Sequence, residues 1–254
     1  MYPLQQSLAD ATTLEVASAL GYLLLVAAGV GLLWYLRTFA KRLLAEPYRG
    51  RWRYLAVGVG AAVVYGIAGL AELFGATGAE PFRRGATLFV FLFAAVGIRG
   101  IHRSVGGGSL VDDGVARWLG PAVVAGFVLA WWGAYLFADP ALGAGLELVG
   151  LLVAVVYAVY RAVGVVAAEE GTSVAAVTRQ FLPALLALAL VAAAEHVSVF
   201  APGATAVGEG VALVGTVLAG AFLFTTAVAI RQQGGEIERM YDPTTWREEE
   251  TPTE

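Results

Sequence analysis

Seven stretches of this chain, residues 14–36, 54–75, 85–101, 118–138, 146–168, 181–201 and 208–230, are long and almost wholly apolar. Roughly 20 apolar residues of helix cross the hydrocarbon core of a bilayer. Backbone polar groups find no water there, so a spanning segment must satisfy its own hydrogen bonds, which suits helices of this length and uniform apolarity. The sequence therefore predicts an all-α integral membrane protein, a bundle of seven transmembrane helices. Within 254 residues these spans leave a segment 1–13, a bundle over 14–231 and a tail, 232–254, expected to be disordered. The composition agrees, with 59% hydrophobic and 14% charged residues and a mean hydropathy of +0.73, values outside the range of soluble domains. The first stretch lies too far in, and lacks the basic flank and cleavage site, to be a signal peptide.

The basic residues give an orientation. Fourteen of the sixteen fall on one side of the spans: Arg37, Lys41, Arg42, Arg49, Arg51, Arg53, Arg99, Arg103, Arg117, Arg161, Arg179, Arg231, Arg239 and Arg247. Only Arg83 and Arg84 fall on the other. Cytoplasmic loops carry the excess of Lys and Arg, so the amino terminus is expected outside and the carboxyl terminus in the cytoplasm, in a multi-pass protein of the cell membrane. Trp34, Tyr35, Trp52 and Trp118 then fall at the inner boundary, where an aromatic belt belongs. The outer links are short, so the helices they join are expected to pack as antiparallel neighbours. The second, fourth and sixth spans each follow an arginine, Arg53, Arg117 and Arg179, a hint of three repeated hairpins.

Ionisable residues in a bilayer segment are costly and point to function. Glu72, Glu147, Glu195, His196 and Glu209 lie near the outer ends of their spans, and Arg83 and Arg84 open the third on the same side. Helical steps from Glu72 pass Gly69, Tyr65, Ala62 and Gly58; from Glu147, Gly150, Ala154 and Ala158; from Glu209, Ala212, Thr216 and Gly220. Small residues mark the faces on which membrane helices pack, so these three glutamates are expected to point inward. His196 shares a face with Ala192, Ala193 and Ala189 and is expected inward, whereas Glu195 shares one with Val191 and Leu188. The candidate ligand site is an outward-opening pocket of Glu72, Arg83, Arg84, Glu147, Glu195, His196 and Glu209; the competing reading is a set of wet helix ends. Between the two membrane faces remain Thr216, Thr225, Thr226, Tyr65, Tyr157, Tyr160, Trp131 and Trp132, with no carboxylate, lysine or histidine to form an ion or proton relay.

Other chemistry is excluded residue by residue. The chain has no cysteine, which rules out disulfides and thiolate metal sites, and no asparagine for a glycosylation sequon. Gly106, Gly107, Gly108 and Ser109 form a glycine-rich link without the lysine a phosphate loop needs. No catalytic triad and no histidine pair with zinc-protease spacing can be assembled. His102 and His196 sit at opposite ends of their helices, too far apart to share a haem. No enzyme, no cofactor and no resident metal are expected, and basic residues that hug helix ends give no nucleic-acid partner. The run Asp112-Asp113-Gly114-Val115-Ala116-Arg117 resembles the opening of the CDP-alcohol phosphotransferase signature. It lacks one residue before Ala116, and apolar residues stand where that family has its later aspartates.

Over residues 14–230 the layout resembles the seven-helix microbial rhodopsins and receptor-like membrane proteins, with an outside amino terminus, short loops and an inside tail. Where that family carries its retinal lysine in the seventh helix, this chain reads from Gly215 through Gly220 to Thr225 with no lysine. Lys41, in a loop, is the only lysine of the chain, so the resemblance does not extend to covalent retinal binding. The arginine-rich composition and acidic tail suggest a halophilic archaeal source. The expected function is a receptor-like sensor or regulatory membrane protein. It would read an extracytoplasmic or bilayer-dissolved ligand at the outer cluster and signal to a separate cytoplasmic partner through the 37–53 loop or the tail. A small transporter or channel, and a structural subunit of a membrane complex, are the alternatives; the bilayer itself is the partner common to all three.

Overall fold

The computed structural model describes residues 2–43, 52–104, 113–137 and 139–240. Seven long helices account for nearly all of them: α1 (Tyr2–Leu43), α2 (Trp52–Leu73), α3 (Glu80–Ser104), α4 (Asp113–Phe137), α5 (Pro140–Ala168), α6 (Ser173–Glu195) and α7 (Thr205–Met240). A single helical turn, Val197–Phe200, and a 3₁₀ turn, Pro202–Ala204, connect α6 to α7. Six of the long helices carry stretches long and apolar enough to cross a membrane, and in α4 the described apolar stretch, Ala122–Phe137, is shorter. Large apolar side chains such as Leu20, Ile67, Leu129, Leu152, Val163 and Phe224 cover the outside. Apolar cover on that scale is unfavourable in water and suits lipid.

The helix ends follow local chemistry. Asp139 caps α5 by accepting from the Ala141 amide at 2.8 Å, with Pro140 in the first helical position, where its missing N–H costs nothing. Thr172 caps α6 through the Ala175 amide. Gly75, at φ 85°, supplies the left-handed residue that ends α2. Pro183 lies inside α6, and in the preceding turn the Gln180 carbonyl accepts from Thr226 of α7 at 3.1 Å.

Six helices close a ring: α1 packs on α2, α2 on α3, α3 on α5, α5 on α6, α6 on α7, and α7 back on α1. The fourth helix stands outside it, with α5 as its main neighbour. The helices joined by the three short links expected on one side, α2 with α3, α4 with α5 and α6 with α7, do pack together. Small residues set these approaches. A Cβ at Gly69 would fall 2.5 Å from the Tyr22 ring, at Gly97 2.9 Å from Leu55, at Gly150 2.2 Å from Phe127, and at Gly215 2.7 Å from Val191. Where lipid gives bulky side chains no advantage, close backbone approach is how helices gain contact.

Several boundaries differ from those expected. The 1–13 segment belongs to α1 from Tyr2 onward, and α1 runs through Arg37 to Leu43. The helix of α7 continues to Met240, into what sequence assigns to the tail. The remainder of the 37–53 loop at 44–51, the glycine link at Gly106–Ser109 with Asp112, and 241–254 lie outside the described residues, as do the side chains of Arg117 and Trp118. Trp34 is exposed, but Trp52, expected in the same aromatic belt, is only 6% exposed. Trp52 opens α2 within the main core cluster, so its ring packs on protein and does not face headgroups.

Candidate functional site

At one end of the bundle two polar clusters meet at adjacent residues, Glu195 and His196, where α6 stops. The first joins three helices. Arg83, in the first turns of α3, donates through Nε to both carboxylate oxygens of Glu72 on α2, at 2.8 and 3.0 Å, and through Nη1 to Glu195. Tyr65, seven residues before Glu72 and 2% exposed, donates its hydroxyl to Glu195 Oε1 at 2.6 Å. Tyr22 of α1 packs edge-on against Tyr65, ring centroids 5.9 Å apart, in the space that Gly69 leaves.

The second cluster joins α4, α5 and the end of α6. Glu147, 4% exposed, accepts the indole N–H of Trp131 at 2.7 Å and faces His196 Nε2 with its other oxygen. The second ring nitrogen of His196 lies 2.6 Å from the Ala192 carbonyl. With Glu147 ionised, both imidazole nitrogens meet acceptors, so His196 carries both protons and is the counter-ion. Helix α6 terminates here, with His196 as its C-cap, and Val197–Phe200 form a separate turn within the expected sixth span.

Of the seven candidate residues, Glu72, Arg83 and Glu195 form one ion-paired group and Glu147 and His196 the other. Arg84 pairs with Glu80 one turn before it, at 3.2 Å. It lines a cavity of about 10 Å³ with Thr87, Glu147, Glu195 and His196, roughly the space of one water molecule. Glu209 is exposed and joins neither group. Its stripe does face the bundle lower down, where Thr216 is 3% exposed, but Glu209 lies in the first turns of α7, beyond the stretch where that face is covered. Glu195 also corrects expectation, since the face it shares with Val191 and Leu188 is buried against protein.

Tyr65 and Trp131 complete the site, and sequence reasoning does not assign them to it. The signal for Tyr65 is its place on the helical stripe of Glu72. Trp131 carries none, because the partner of an indole N–H depends on how α4 is rotated. No group of three or more metal-ligating side chains converges among the described residues. In the middle of the bundle the hydroxyls of Thr216 and Thr225 are spent on carbonyls of their own helix.

No protein-family model, no curated protein and no solved structure matches the chain. The seven long helices fit a membrane helical bundle, and the comparisons do not relate the chain to the seven-helix retinal proteins.

Proposed function

We propose that this chain is a seven-span sensor or regulatory protein of the cell membrane, amino terminus outside and carboxyl terminus in the cytoplasm. Its input is the polar network at the outer end. The observation that carries this reading is the junction at Glu195 and His196: one helix end is held by an ion pair to Arg83 of α3 and a hydrogen bond from Tyr65 of α2 on one side, and by an ion pair to Glu147 of α5 on the other. With so little free volume, a ligand can enter only by taking over contacts the network now makes. That is the condition for a ligand to shift a conformational equilibrium, because it then interacts differently with the paired and unpaired states. Among the described residues the network joins the carboxylates of Glu72, Glu147 and Glu195 to Arg83 and His196, and Arg84 lines the same cavity. The signal passes through the displaced end of α6 to a separate cytoplasmic protein.

The test is a flux assay on the full chain in proteoliposomes with a panel of ions and small solutes, paired with a cellular readout of the Glu195→Gln variant. A sensor gives no flux above empty vesicles and an altered basal response in the variant. Sustained flux of any one solute overturns the reading in favour of a carrier.

A further inference from the structure

At the opposite end of the bundle a guanidinium has no counter-charge among the described residues. Arg161 lies on α5 about two turns before that helix ends at Ala168. Its Nη1 donates to His102 Nδ1 of α3 at 3.3 Å. Because arginine only donates, the His102 nitrogen that receives this bond is unprotonated and the imidazole is neutral. His102 supplies a hydrogen bond and no negative charge. The guanidinium carbon lies 5.3 Å from the ring centre of Tyr157 and 5.7 Å from that of Tyr160, contacts that hold a cation in place but do not neutralise it. Among the described residues no carboxylate lies within ion-pair distance of it. Its Nε is buried with no hydrogen-bond partner, and the other described donor in that position is Trp52 Nε1, at the start of α2 on the same end.

An unmet donor and a charge uncompensated among the described residues, at one membrane boundary, fit an anionic acceptor. Tyr160 is 67% exposed, so the cluster opens towards lipid and not into the bundle. We infer that Arg161, His102 and Tyr157 form a binding site for the phosphate of an anionic phospholipid headgroup. The leaflet is the one at this end of the bundle, cytoplasmic on the orientation proposed above. The guanidinium fork matches two phosphate oxygens, and Gly164 lets His102 pack against α5 beside Arg161: a Cβ there would fall 2.8 Å from His102 Nε2.

The purified full chain in a neutral detergent, titrated with phosphatidylglycerol and separately with phosphatidylcholine, is read by native mass spectrometry. Phosphatidylglycerol is retained about fivefold or more over phosphatidylcholine. Arg161→Gln lowers that retention about tenfold, while Arg179→Gln, an exposed arginine opening α6 at the same end, lowers it much less. Equal losses in the two variants mean diffuse attraction and overturn the site. Displacement by millimolar inorganic phosphate marks a soluble-anion site and overturns the lipid assignment. Should Arg161→Gln fail to fold, Gly164→Ala decides, because it keeps the charge and displaces His102; unchanged retention there overturns the proposal.

Discussion

Glu195 receives two donors of different kinds, and the difference sets what its loss would do. Tyr65 needs only an oxygen acceptor, which a glutamine retains. Arg83 needs charge, and Glu195→Gln leaves it dependent on Glu72 alone. Breaking a fully buried ion pair costs about 3–5 kcal/mol. With the side chains of Arg83 and Glu195 each 17% exposed, solvent softens this to about 2 kcal/mol. The expected outcome is a clear drop in the unfolding midpoint in mixed detergent micelles. Glu209→Gln, at an exposed position, should fall within about 0.5 kcal/mol of the parent. A Glu209 variant that destabilises as much as the Glu195 variant would dissolve the distinction between network and helix-end charge. Trp131→Phe offers an independent reading of the second cluster: Glu147 loses a buried donor, and a cost of about 1–3 kcal/mol is expected from the same measurement.

The fourth helix is held mainly by α5, and that contact depends on Gly150, into whose missing side chain the Phe127 ring fits. Gly150→Ala forces the ring aside and should cost about 1–3 kcal/mol by overpacking. Shortening the ring in the double variant Gly150→Ala with Phe127→Ala should recover part of the contact between α4 and α5. The chain has no cysteine of its own, so a disulfide between cysteines introduced into α4 and α5 reports that contact without background. Undiminished cross-linking in Gly150→Ala would contradict this account. Gly150 also illustrates what was legible in advance: the small-residue faces through Gly58, Ala62 and Gly69, and through Gly150 and Ala158, mark real contacts because steric size is a local property. The order of helices around the bundle is not local. A helical stripe says that a face is covered and not which helix covers it, so the displacement of α4 and the inward turn of Glu195 emerge only in three dimensions. Glu209 errs for a related reason, its stripe being extended past the length over which α7 is covered.

At the scale of the whole molecule, the sidedness of every functional group depends on α4 crossing the membrane. Six helices carry long apolar stretches, while α4 stands outside their ring with α5 as its main support. If α4 crosses, three helices separate the link after α2 from the link before α6, and these links face opposite compartments. If α4 did not cross, α3 and α5 could not both run from the Arg84–Glu147 end to the His102–Arg161 end as they do here, and the two links would face the same side. Single cysteines at Gly78 and Glu170 distinguish the two. Both positions are exposed, and a side chain at Gly78 meets nothing within 4 Å. With a membrane-impermeant thiol reagent on intact cells, Gly78→Cys is expected to label and Glu170→Cys to label only after lysis, as the crowding of arginines on the Glu170 side requires. Labelling of both in intact cells, or of neither, would reduce the protein to six spans and place the 14 basic residues on both faces of the membrane. The reverse pattern would keep seven spans and turn the polar network towards the cytoplasm, ending its role as an external input.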